Sequence, residues 1–127
     1  MSKESVATVR SLFNAYKMGD LAELEIAFAP GIVWLGAEPG TACYGQNEVI
    51  DFLRRQREHG FQLVLEETLD VGNKVLAVIR VPGIAALQGR ERDERGYHVI
   101  TLEGATISGM RDFVTREAAL ADLETDG

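Results

Sequence analysis

The spacing of apolar residues changes period at Gly60, and that change limits this chain to a run of helices followed by a sheet. Before it, Val6, Val9, Leu12, Phe13 and Tyr16 recur at helical intervals behind Ser2, a helix-capping residue, and Gly19 ends the run. Asp20 caps a shorter helix whose Leu21, Leu24 and Phe28 face inward and which Pro30-Gly31 closes. Ile32 to Gly36 reads as a short strand, residues 37–45 as an irregular loop, and Gln46 to His59 as a third helix with Val49, Ile50, Phe52, Leu53 and Gln56 near one face. After Gly60 the pattern alternates. Phe61 to Val71 and Lys74 to Val81 pair as antiparallel strands across a Gly72-Asn73 turn, and residues 96–104 and 105–114 form a second hairpin. Thr115 caps a last helix reaching Leu123. Pro82-Gly83 marks a bend, and residues 84–94 are either a long loop or the tip of two long strands.

These elements predict an α+β fold in one domain spanning residues 1–127. Area scaling gives a chain of 127 residues one core, hiding roughly two thirds of the unfolded surface. With 46% hydrophobic and 26% charged residues the chain is neither disordered nor collagen-like, and no apolar run approaches the roughly 20 residues of a membrane span. No membrane association is expected. The opening MSKESVATVR lacks the basic-then-apolar order of a signal peptide, which predicts a cytoplasmic protein. A net charge of −7 opposes nucleic-acid binding. Cys43 is the single cysteine and His59 and His98 the only histidines, so no internal disulfide, metal site or cofactor is expected. In the last hairpin Val99 opposes Ile100 and Ile107 opposes Met110; apolar residues at both parities predict a covered outer face, most simply by a second copy in a homodimer.

The segments LFNAYKMGDLAELEIAFAPGIVW, YGQNEVIDFLRRQ and ISGMRDFVTREAAL, in this order, resemble the NTF2-like superfamily, in particular its SnoaL-like branch of polyketide cyclases, ketosteroid isomerases and limonene epoxide hydrolase. The resemblance implies a cystatin-like cone, a curved antiparallel sheet wrapped on the N-terminal helices with a pocket for a small apolar molecule inside. Fold alone does not give the chemistry. IRVPG and SGMRDF look similar to limonene epoxide hydrolase, whose two aspartates are bridged by an arginine; this places Arg80 on the arginine and Asp112 on one aspartate, while Pro82 stands where the second would be. The water-positioning tyrosine and asparagine of that family fall near Trp34 and Gly36. Against ketosteroid isomerase, Leu12 stands at the tyrosine position and Gly36 near the base, with Tyr16 a turn too late, so that mechanism is rejected.

The candidate site follows from strand parity. Arg80 shares parity with Leu76 and Val78, and Asp112 with Met110, so an inward Arg80–Asp112 pair is expected as the catalytic core, its burial offset by paired hydrogen bonds. The competing placement puts Arg80 on the opposite face and makes Asp112 a support for the last helix. Tyr16, Trp34, Tyr97, Met110 and Val78 are the expected ligand-lining residues, with core or rim packing as the alternative for the aromatics. Glu38 and Tyr44 flank the expected pocket mouth, and Glu91 or Asp93 would supply an acid only if the following strand enters the cone. His98 is either an acid/base group or, sharing a face with Ile100 and Leu102, an outer residue at the subunit contact. His59 sits at a helix C-terminus and Cys43 reads as a structural thiol. The expected function is cofactor-independent acid/base catalysis by a hydrolase, isomerase or cyclase on an apolar, oxygen-containing substrate; the alternative is a non-catalytic ligand-binding or dimeric interaction module.

Overall fold

The structure is a computed structural model describing residues 2–37, 40–82 and 95–125. Glu38, Glu91, Asp93 and the expected strand tip at 84–94 lie outside the described residues.

The first helix, α1 (Ser2–Met18), buries Val9, Leu12, Ala15 and Tyr16 in one stripe. Arg57 closes its C-terminus from a neighbouring helix, Nε donating to the Tyr16 carbonyl at 3.0 Å and NH2 to that of Lys17 at 3.4 Å. Gly19 is required there twice over: its φ is 72°, and a Cβ would lie 2.7 Å from the Arg57 guanidinium carbon. Asp20 caps α2 (Leu21–Ala27), accepting from the Glu23 amide at 3.2 Å.

Pro30-Gly31 does not close that helix as expected. The chain leaves it at Ala27 and runs directly into β1 (Phe28–Leu35), and Pro30 is tolerated because the register with its neighbour slips between Phe28 and Val33. Within the expected loop, β2 (Ala42–Tyr44) pairs antiparallel with Val33 to Leu35. Next come α3 (Gln46–Glu58), β3 (Val64–Val71), β4 (Lys74–Arg80), β5 (Arg95–Glu103), β6 (Thr106–Phe113) and α4 (Arg116–Leu123), the last capped by the Thr115 side chain accepting from Ala118 N at 3.2 Å.

The six strands form one sheet in the order β2-β1-β6-β5-β4-β3. All neighbours are antiparallel except β1 and β6, which run parallel, so the expected antiparallel sheet is in fact mixed. Hairpins dictate the direction of β3 to β6, whereas β1 reaches β6 through most of the chain and no tight turn fixes its sense.

On the inner face Val75, Ala77, Ile79, Ile100, Leu102 and Met110 pack with Val9, Leu12 and Tyr16 of α1. On the outer face Leu76, Val78 and Val99 pack with Ala119 and Leu123 of α4. Lys74, 8% exposed, fastens that helix by donating to the carbonyls of Asp122 at 3.0 Å and Thr125 at 2.9 Å. Much of the two-sided apolarity of β4 and β5 is therefore covered by the chain's own last helix. Among the described residues no helix is long and apolar enough to cross a membrane.

Candidate functional site

Three strands bring their inward side chains to one place. Pairing of β5 with β6 sets His98 opposite Asp112 and Ile100 opposite Met110, and parallel pairing sets Trp34 of β1 beside Met110. Trp34 Nε1 donates to Asp112 Oδ1 at 2.7 Å, and His98 Nδ1 lies 2.5 Å from the same oxygen. An ionised carboxylate only accepts, so Nδ1 is the donor in this contact, and in the neutral imidazole that tautomer leaves the lone pair on Nε2. Nε2 has no hydrogen-bond partner among the described residues and lies over Gly96, where a Cβ would approach it to 2.9 Å. Side-chain exposures of 18% for His98 and 21% for Asp112 leave the pair largely out of water.

The chain Trp34–Asp112–His98 opens on a cavity of about 150 Å³ inside the cone. Its walls are chiefly apolar: Leu12, Phe28, Phe52, Ile79, Ile100 and Met110 contribute, and the Trp34 ring meets Phe52 edge-on at 5.2 Å and 83°. Tyr16 also lines it, its hydroxyl donating to the Phe61 carbonyl at 3.0 Å. Burial pushes the Tyr16 phenol up from its ordinary value, with Arg57 opposing, so this hydroxyl stays neutral. A larger groove of about 820 Å³ follows α1 and residues 60–68, with Arg10, Lys17, Arg57, Glu66 and Glu67 on its walls. The smaller cavity holds the hydrogen-bonded chain and is the better candidate.

Residues 9–110 match the model of the SnoaL-like domain family. The chain belongs to that family. No curated protein gives a significant match in sequence. Among solved structures, an NTF2-like protein of unknown function from Mesorhizobium loti has a TM-score of 0.73 at 18% identity, over 90% of this chain and 93% of that one. A protein assigned as a SnoaL-like polyketide cyclase from Jannaschia sp. CCS1 has a TM-score of 0.70 at 19% identity, over 98% and 94%. TerC, co-crystallised with polyporic acid, has a TM-score of 0.69 at 17% identity, over 94% and 97%. Likeness at these identities establishes the NTF2-like cone and leaves the chemistry to the site.

Within this SnoaL-like cone, Asp112, Trp34, Tyr16 and Met110 meet at the cavity, whereas Arg80, Tyr97 and Val78 do not. The expected Arg80–Asp112 pair is not formed. Arg80, Val78 and Leu76 belong to the outer parity of β4, and Arg80 Nε bonds Glu66 Oε2 at 3.2 Å, the carboxylate that also takes Arg95 Nε at 2.6 Å. Tyr97 packs outside with Val78 and Phe113 in the layer under α4. His98 does share a face with Ile100 and Leu102, but that face is the interior, so placement at an outer subunit contact is corrected.

Gly36 has no room for a base: a Cβ there would lie 2.0 Å from Thr41 Oγ1. Cys43 faces Trp34 across β1 and β2; burial, with Glu48 adding to it, pushes its thiol up, which suits packing rather than attack. Sequence reasoning missed two features, the partnership of His98 with Asp112 and the presence of Gln56 at the cavity. A signal for the first exists in the alternation of His98 with Ile100 and Leu102, once the inward parity is known.

Proposed function

We propose that this protein is a cofactor-independent general-base catalyst of the SnoaL-like type, in which His98 Nε2 takes a proton from a small apolar, oxygen-containing substrate. The observation that carries the reading is the hydrogen-bonded chain from Trp34 through Asp112 to His98 beside an apolar cavity. Asp112 holds the imidazole through Nδ1, leaves Nε2 free to take the proton, and stabilises the imidazolium formed when the proton arrives. Trp34 fixes the carboxylate by occupying its second approach at Oδ1. Asp112 is thus a positioning group and His98 the group that meets substrate. Tyr16 and Met110 shape the walls. Among the described residues the cavity lining contains one carboxylate, which supports proton abstraction rather than a two-carboxylate hydrolysis.

Solvent-deuterium incorporation into a panel of small ketones, esters and lactones, followed by mass spectrometry, tests this. Wild type is expected to accelerate exchange and His98→Gln to lose the acceleration while keeping its circular-dichroism spectrum. Equal exchange in both proteins leaves the ligand-binding reading, in which the cavity holds a molecule without turnover.

A second copy is proposed for the outer face of β1 and β2, where Val33 and Leu35 point away from the cavity beside Tyr44, 62% exposed. Light scattering at twice the 13.9 kDa chain mass supports it, and scattering at the chain mass removes it.

A further inference from the structure

We propose that the molecule taken by this cavity is a neutral, single-ring carbonyl compound whose oxygen is held by the side-chain amide of Gln56. The inference rests on the general-base reading above and deepens it from proton abstraction to a substrate class.

Size comes first. A cavity of about 150 Å³ is the space that one benzene-sized ring fills in a protein interior, so a single ring is the skeleton that matches it. Charge comes second. Arg10, Lys17 and Arg57 line the larger groove and Arg80 belongs to an outer ion pair; among the described residues the lining of the cavity contains no Arg or Lys and does contain the Asp112 carboxylate. An anionic substrate would meet a like charge with no Arg or Lys among the described lining residues to offset it, which supports a neutral occupant.

Polarity comes third. Gln56 lines the cavity one helical turn after Phe52, is half-buried, and its side-chain amide makes no hydrogen bond among the described residues, while its backbone carbonyl accepts from Phe61 N at 3.1 Å. Gln46 on the same helix shows the contrast, its amide nitrogen donating to the carbonyls of Glu25 at 2.6 Å and Phe28 at 3.0 Å. Gln46 spends its amide on the fold, whereas the Gln56 amide, with two N–H donors, is unspent at the cavity wall. Among groups an apolar ring can carry, a carbonyl is the one that both accepts from an amide and acidifies the neighbouring C–H. The step balances without another reactant: the α-proton passes to His98 Nε2, the C–H electron pair forms the enolate C=C, and the oxygen gathers negative charge against the Gln56 N–H groups. Return of the same proton, to that carbon or to a conjugated one, gives an isomer.

Trp34 is the only tryptophan and lines the cavity, so its emission reports occupancy without turnover. Titrating the full chain with cyclohexanone, methylcyclohexane, 1-decalone and cyclohexanecarboxylate is expected to show cyclohexanone bound at least tenfold more tightly than each of the others. Gln56→Met, of similar length but without donors, is expected to bring cyclohexanone down to the level of methylcyclohexane and leave methylcyclohexane unchanged. Decalone or the carboxylate binding as well as cyclohexanone overturns the proposed class, and an unchanged ketone preference in Gln56→Met overturns the anchor. His98→Gln is expected to keep this order of affinities. If the order holds while no deuterium enters bound cyclohexanone, the substrate class stands and the general-base reading falls.

Discussion

The two faces of the sheet carry ionisable groups in opposite states. Outside, Arg80 and Arg95 share Glu66, and Arg116 grips Glu67 through two bonds of 2.9 and 2.6 Å, all at exposed or half-exposed positions beside water. Inside, one carboxylate and one imidazole are joined to an indole N–H in an apolar cavity. The outer pairs have more charge and better forks, yet water competes for every one of them, so they contribute little. The inner chain has fewer groups, and each lacks an alternative partner, which fixes its geometry. Charge density marks the outer face of this protein; removal from water marks the inner one.

The largest difference between the faces is expected in catalysis. His98→Gln should slow proton abstraction by about 10² to 10⁴, measured as deuterium incorporation, while Arg80→Gln leaves the rate within twofold. Comparable losses in both would erase the distinction between the faces. Next in size is packing. Ile100→Ala, inside and 1% exposed, should cost about 2–5 kcal/mol in denaturant unfolding, whereas Leu69→Ala, outside and 40% exposed, should stay within about 0.5 kcal/mol. Gly96→Ala is a finer probe: its methyl would press on His98 Nε2 and turn the ring away from Asp112, so the exchange rate should fall about tenfold with a much smaller change in melting temperature.

The smallest effect belongs to the outer face and to acid. Hydrogen bonding to Arg95 holds the Glu66 carboxyl below its ordinary 4.5, and hydrogen bonding to Arg116 does the same for Glu67. A depressed folded value means that the folded state binds protons less readily than the unfolded state. The stabilisation is therefore present above about pH 4.5 and is lost as pH falls through the lower folded values. Arg95→Gln should flatten that acid limb slightly in thermal melts taken from pH 6 to 3, and a steep limb that survives the substitution would assign it to other carboxylates.

Helix positions were legible because caps and stops are local chemistry. Asp20 and Thr115 cap where expected, and Gly19 and Gly60 end helices with φ of 72° and 85°. The hairpin at Gly72-Asn73 was legible for the same reason. Of the candidate site, Asp112 and Met110 were named by parity and Trp34 and Tyr16 as aromatics of the wall; the same parity put Arg80 and Val78 inside, where they are not, and Tyr97 takes the packing alternative on the outer face. β4 is apolar on both sides, so its sequence separates two sets of residues without labelling either one as inner.

The partner of His98 was hidden by a bulge. Counting back from the turn at Gly104, where Glu103 faces Thr106 and Leu102 faces Ile107, an even ladder would set His98 against Arg111. The register shifts between Thr101 and Leu102, and His98 meets Asp112 instead.

The sequence alone determined most helix caps and stops and where the chain turns back, because these depend on neighbours a few residues away. Tertiary structure alone decided which side of β4 and β5 α1 and α4 each cover, how β1 lies along β6, and where the ladder skips a residue. Those choices depend on contacts between segments far apart in the chain, and they are what put an imidazole, a carboxylate and an indole against one another inside the cone.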